Sequence, residues 1–161
     1  MSCAPVLDGA WGRESLGGDL KRKVLVADVP EAHARLAAAL NGAELRFVHT
    51  LGDALRALTE DDYELVLAGV HFDESRMFDL LRAVRSGSRN RQVPIVCIRT
   101  RRNAFATLTP HALEVTIKAL QGNAYVDLSG FANDEGGNAA VRHLLETVTG
   151  SFAAPTSGGT P

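Results

Sequence analysis

Short apolar runs alternate along this chain with longer segments in which apolar residues recur every three or four positions. The short runs are Val24-Leu25-Val26-Ala27, Leu45 to Val48, Leu65-Val66-Leu67-Ala68, Pro94-Ile95-Val96-Cys97-Ile98 and Tyr125 to Leu128. Near-continuous apolarity over so few residues is the pattern of strands covered on both faces. Between them, Ala32, Leu36, Ala39 and Leu40 fall on one helical face. So do Leu51, Ala54, Leu55 and Leu58, then Met77, Leu80, Leu81 and Val84, then Leu113, Ile117 and Leu120. A last helix is predicted from Asn133 to Thr149, with Ala140, Val141, Leu144, Leu145 and Val148 inward.

The punctuation agrees with this division. Pro30 opens the first helix where its missing N–H is harmless, and Asn41-Gly42 ends it as a left-handed cap. Thr50 with Asp53 resembles a capping box. Ser86-Gly87-Ser88 stops the third helix, Thr109-Pro110 starts the fourth, and Gly122 closes it. Strands and helices in strict alternation imply a parallel sheet with right-handed crossovers. The expected fold class is α/β: a flavodoxin-like, doubly wound, parallel five-stranded sheet in the order 2-1-3-4-5, with helices on both faces. Val26, Leu67 and Val96 belong at its centre. The crevice of such a sheet lies at the carboxyl ends of strands one and three, beside Asp28 and Gly69.

Composition narrows the classes further. The chain has 161 residues, 45% hydrophobic and 22% charged, which suits one globular domain with some chain to spare. Residues 1–20, rich in glycine, read as a flexible leader, 21–150 as the domain, and 151–161 as a disordered tail. Trp11 in the leader is a large apolar surface that would dock on the domain or on a partner. A formal net charge of −2 exerts no global pull toward nucleic acid or membrane. No apolar run approaches the roughly 18–20 residues of a membrane span, and no secretory signal is visible, so a cytoplasmic protein is expected. Cys3 and Cys97 are too few for a disulfide scaffold, and Cys97 reads as a buried free thiol.

Tyr63 to Arg82, YELVLAGVHFDESRMFDLLR, resembles the third strand, loop and third helix of a two-component response-regulator receiver domain. The resemblance extends over about residues 22–149. Val24 to Asp28 is similar to that family's first strand ending in an acid, Val93-Pro94-Ile95-Val96 to its fourth strand, and Tyr125-Val126 to its fifth. With Leu80-Leu81-Arg82 aligned to the third helix, the resemblance puts Gly69 where the family has its phospho-accepting aspartate. It puts Val29 at the second acidic position, Arg99 at the threonine or serine, and Leu128 at the lysine. In the family an aspartate attacks the phosphoryl group, neighbouring carboxylates hold Mg²⁺, and a lysine and a hydroxyl offset charge. Of that set Asp28 alone remains. What the resemblance implies is a degenerate pocket, Asp28, Val29, Gly69, Arg99 and Leu128, with no catalysis and no cofactor. In it Arg99 is expected to reach across and pair with Asp28.

Three other chemistries are open to these residues. If the third strand ran on through Phe72, Asp73 would stand at its end and take the phosphoryl group instead. His71, Asp73 and Glu74, with Asp28, supply oxygen and nitrogen ligands for a divalent metal, though without paired spacing on a helix. Arg99, Arg101 and Arg102 would form an anion site, or a small-ligand site together with Asp28. The wider arginine series, from Arg82 to Arg102, looks like a nucleic-acid footprint, but the expected fold divides it. Arg85, Arg89 and Arg91 go to the bottom of the sheet, Arg99, Arg101 and Arg102 to the top. No phosphate-cradling glycine loop and no serine elbow is present. The expected function is a stand-alone pseudo-receiver, a phosphorylation-independent interaction module in bacterial-type signalling. Its partner would be another signalling protein or a second copy, met through the fourth helix, fifth strand and fifth helix. The long loop after Arg99 carries Phe105 and Leu108, which would fold over the domain or meet that partner.

Overall fold

The structure, a computed structural model, describes residues 22–100 and 109–149. The leader with Trp11, the tail, and Arg101, Arg102, Phe105 and Leu108 lie outside the described residues. Strands β1 (Lys23–Ala27), β2 (Glu44–Val48), β3 (Leu65–Gly69), β4 (Ile95–Arg99) and β5 (Ala124–Asp127) form one sheet in the order β2-β1-β3-β4-β5. Every neighbouring pair is parallel. The helices are α1 (His33–Ala39), α2 (Leu51–Glu60), α3 (Met77–Ser86), α4 (Pro110–Ala119) and α5 (Glu135–Thr149). Single 3-10 turns occupy Pro30–Ala32, just before α1, and Leu128–Gly130, just after β5.

Alternation along the strands builds two cores. Leu25, Ala27, Val66, Ala68, Ile95 and Cys97 pack with α2, α3 and α4 on one face. Val24, Val26, Leu65, Leu67, Val96, Ile98 and Val126 pack with α1 and α5 on the other. Val26, Leu67 and Val96 are each 0% exposed, as a doubly covered sheet requires. Burial raises the Cys97 thiol to about 12, so it is a structural apolar group.

Two helix faces differ from the expected stripes. On α2 it is Ala57 that is buried, while Leu55 is exposed. On α5 Ala140 is exposed, and Asn138, Val141 and Leu145 form the inner face. Each apolar run there is wider than the face the sheet covers, and periodicity alone does not choose its edge. The caps resolve more sharply. The Thr50 and Thr109 hydroxyls accept from the N–H groups of Asp53 and Ala112, each at 3.1 Å. Asp53 does not complete a capping box; its carboxylate pairs with Arg56 at 3.1 Å. At the end of α4 the left-handed residue is Gln121 (φ 69°), with Gly122 N–H donating to Ile117 O at 2.8 Å. Gly122 is needed for space, because a Cβ there would crowd the Ile117 side chain.

Candidate functional site: a filled crevice

The crevice opens where β1 and β3 end, since β1 turns away to β2 on one side and β3 to β4 on the other. Ala27 pairs with Ala68, so the next residues, Asp28 and Gly69, lie side by side at the mouth. Asp28 is only 1% exposed. Its Oδ1 accepts from the Val29 N–H at 2.8 Å, which turns the carboxylate back over the strand end. The carboxylate then rests on the Gly69 backbone, and a Cβ at residue 69 would overlap its Cγ and both oxygens. Glycine inside a buried strand commonly marks such a close approach. The space in which a side chain of residue 69 would begin is therefore taken by the side chain of residue 28.

The other positions of the expected pocket are apolar or turned aside. Val29 is half-buried and packs with the α1–α5 core. Leu128 is 1% exposed and joins Val126, Val141 and Leu145 in the same core. The expected Asp28–Arg99 pair does not form, and no ion pair of the described residues joins the two. Strand parity is the reason. Arg99 continues the face of Ile95 and Cys97, whereas Asp28 continues that of Val24 and Val26. Arg99 stands opposite Asp127 in the β4–β5 register. Its charge acts on Tyr125, whose hydroxyl pKa is raised by burial first, with Arg99 pulling the other way.

Asp73 has a different task from the one sequence allowed it. β3 stops at Gly69, and the chain turns at once, with Phe72 N–H donating to Gly69 O at 3.0 Å. Phe72 is fully buried, and Asp73, Glu74 and Ser75 follow with φ of 43°, 57° and 72°. Three successive non-glycine residues in the left-handed region are unfavourable by about 1–2 kcal/mol each. The Phe72 anchor and a 2.7 Å hydrogen bond from the Leu51 N–H to Asp73 Oδ2 hold them there. Asp73 thus ties the loop to the first turn of α2 and does not stand at the end of the strand. The metal set of Asp28, His71, Asp73 and Glu74 does not assemble. Among the described residues no group of three His, Cys, Asp or Glu is placed to hold an ion.

At the opposite end of the sheet the lower arginines are occupied structurally. Arg85 donates to Gln121 O (3.0 and 2.9 Å), Arg91 O (2.9 Å), Val93 O (2.6 Å) and Asn123 Oδ1 (3.1 Å). Those bonds use all five N–H groups of its guanidinium. Arg89 pairs with Asp62 at 2.7 Å, and Arg82 with Asp79 at 3.0 Å. No helix among the described residues is long and apolar enough to cross a membrane.

Comparison with solved structures bears on the fold. A response regulator from Hahella chejuensis is 19% identical, covering 85% of this chain and 98% of its own, with a TM-score of 0.63. The phosphorylated cyanobacterial phytochrome response regulator RcpA is 17% identical over 85% of this chain and 100% of its own, with a TM-score of 0.65. The fold is that of a receiver domain. The receiver domain of a sensor histidine kinase from Pseudomonas aeruginosa, solved with magnesium in its active-site cleft, is similar at 20% identity, 82% and 100% coverage and a TM-score of 0.61. No protein-family model and no curated protein matches the sequence.

Proposed function

We propose that this receiver-fold chain is a pseudo-receiver: a protein-interaction module of bacterial-type signalling that works without phosphorylation and without catalysis. One observation carries the reading. The Asp28 carboxylate lies against the Gly69 backbone and closes the space from which an acceptor side chain would project. The apolar Val29 and the buried Leu128 agree with it, since neither side chain offers a metal-ligand oxygen or a charge to a phosphoryl group. A module of this kind holds one conformation and acts through its surface. The face made by α4, β5 and α5 is the proposed surface for a signalling partner or a second copy. Val115 on α4, 54% exposed, is its most accessible large apolar side chain among the described residues.

The test is incubation with a small phosphodonor such as acetyl phosphate and excess Mg²⁺, followed by intact-mass and backbone NMR measurement. The expected outcome is no phosphoryl adduct and no shift at Asp28, Val29 or Gly69. A phosphorylated species mapped to Asp28 or Asp73 overturns the proposal.

A further inference from the structure

Strand parity brings two histidines together at the outer corner of the sheet. Phe47, on the edge strand β2, faces the α1 side, and His49, two residues on, continues that face just beyond the strand end. His33 is the first residue of α1, which covers the same side. Its ring packs on Phe47, with centroids 4.0 Å apart and planes at 34°, so the aromatic contact holds the imidazole in place. The His33 and His49 Nε2 atoms are 2.7 Å apart. The ring planes differ by 17° and the centroids are 4.7 Å apart. Nearly parallel rings stacked face to face could not bring their nitrogens this close, so the two imidazoles meet edge to edge. One Nε2 donates and the other accepts, the roles set by the tautomers of the pair.

We propose that His33 and His49 form an open, two-imidazole site for a borderline divalent transition metal, Zn²⁺ and, more tightly, Cu²⁺. Neutral imidazole suits these ions, and the affinity order of first-row metals places Cu²⁺ above Zn²⁺. At Zn–N bonds of about 2.0–2.1 Å, two nitrogens on one tetrahedral ion stand ~3.3 Å apart. The pair must therefore open by about 0.6 Å, and the proton between the rings moves to Nδ1 of the ring that carries it, so that both neutral imidazoles present an Nε2 lone pair. His49 is exposed and free to make that rotation, while His33 stays against Phe47. Among the described residues no third His, Cys, Asp or Glu completes the set, so water fills the remaining positions. Mg²⁺, which wants oxygen ligands, does not bind here. The pair uses none of the crevice residues Asp28, Val29 and Gly69, and it is independent of the pseudo-receiver reading.

The experiment uses the full, untagged chain near pH 7. On titration with ZnCl₂ the ring resonances of His33 and His49 shift together to saturation, while those of His71, His111 and His143 stay in place. Cu²⁺ broadens the same two sets first. In calorimetry, His49→Ala weakens Zn²⁺ binding at least tenfold and His143→Ala leaves it unchanged; both positions are exposed, and circular dichroism verifies the fold. Unaltered binding by His49→Ala, shifts confined to other histidines, or the absence of saturable binding each overturns the assignment.

Discussion

Gly69 is where a single residue decides how the crevice is packed. Its absent Cβ and the Asp28 carboxylate are two halves of one packing arrangement, because either would displace the other. Gly69→Ala forces the carboxylate off the Val29 N–H and overfills a closed site. The expected loss is roughly 1–3 kcal/mol, by the measure of other overpacked positions. Removing the obstacle first changes the result. In the Asp28→Ala background the added methyl has room, so the double variant loses less stability than the two single losses summed. Urea denaturation of the four proteins measures the coupling, expected at about 0.5–3 kcal/mol for groups in contact. Additive losses would mean that the two residues do not share the space. Cys97 gives a second residue-scale test. Held near 12 by burial, its thiol should react with a maleimide only after unfolding, whereas an exposed thiol reacts at once.

Among the elements, the end of α3 is held by one arginine as well as by its apolar stripe. Arg85 sits in the last turn of α3 and reaches the carbonyls of Arg91, Val93 and Gln121 and the Asn123 amide. Asn123 in turn accepts from the Ile95 N–H at 2.8 Å. One guanidinium therefore joins the end of α3, the entry to β4 and the α4–β5 turn. Its pKa is lowered by burial, and among the described residues it has no carboxylate ion-pair partner. A lysine carries the charge but not the planar fork, so it can satisfy only some of these acceptors. Arg85→Lys should cost about 1–3 kcal/mol through acceptors left unpaired, and Arg85→Ala at least as much. Thermal unfolding checks the size. Exchange of the Ile95 amide, which should become faster in both variants, checks the place.

At the scale of the whole molecule, the sheet order sets how stability is distributed. β1, β3 and β4 are hydrogen-bonded on both sides and covered on both faces, whereas β2 and β5 each have one strand neighbour among the described residues. Amides of Val26, Leu67 and Val96 should exchange only through global unfolding, and those on the outer edge of β2 through smaller local openings. Hydrogen exchange followed by NMR distinguishes the two classes. Central-strand amides exchanging as fast as those of β2 would contradict the two-core arrangement.

The run of apolar strands and periodic helices, with proline, glycine and threonine at their ends, was enough to determine the α/β class, the strand order and the burial of Val26, Leu67 and Val96. Those features follow from local periodicity and from connection rules that act between neighbours in sequence. That Val29, Gly69 and Leu128 bring no carboxylate, hydroxyl or ammonium group to the crevice was also legible, because a residue's functional groups are read directly from its type. What fills that space was not legible. Asp28 over Gly69, Asp73 on the Leu51 N–H, Arg99 on the face away from Asp28, and His33 against His49 are all contacts across the fold. Each depends on strand parity and on where a loop turns after the last paired residue. A one-residue change in that ending reverses the face, and only the folded chain decides it.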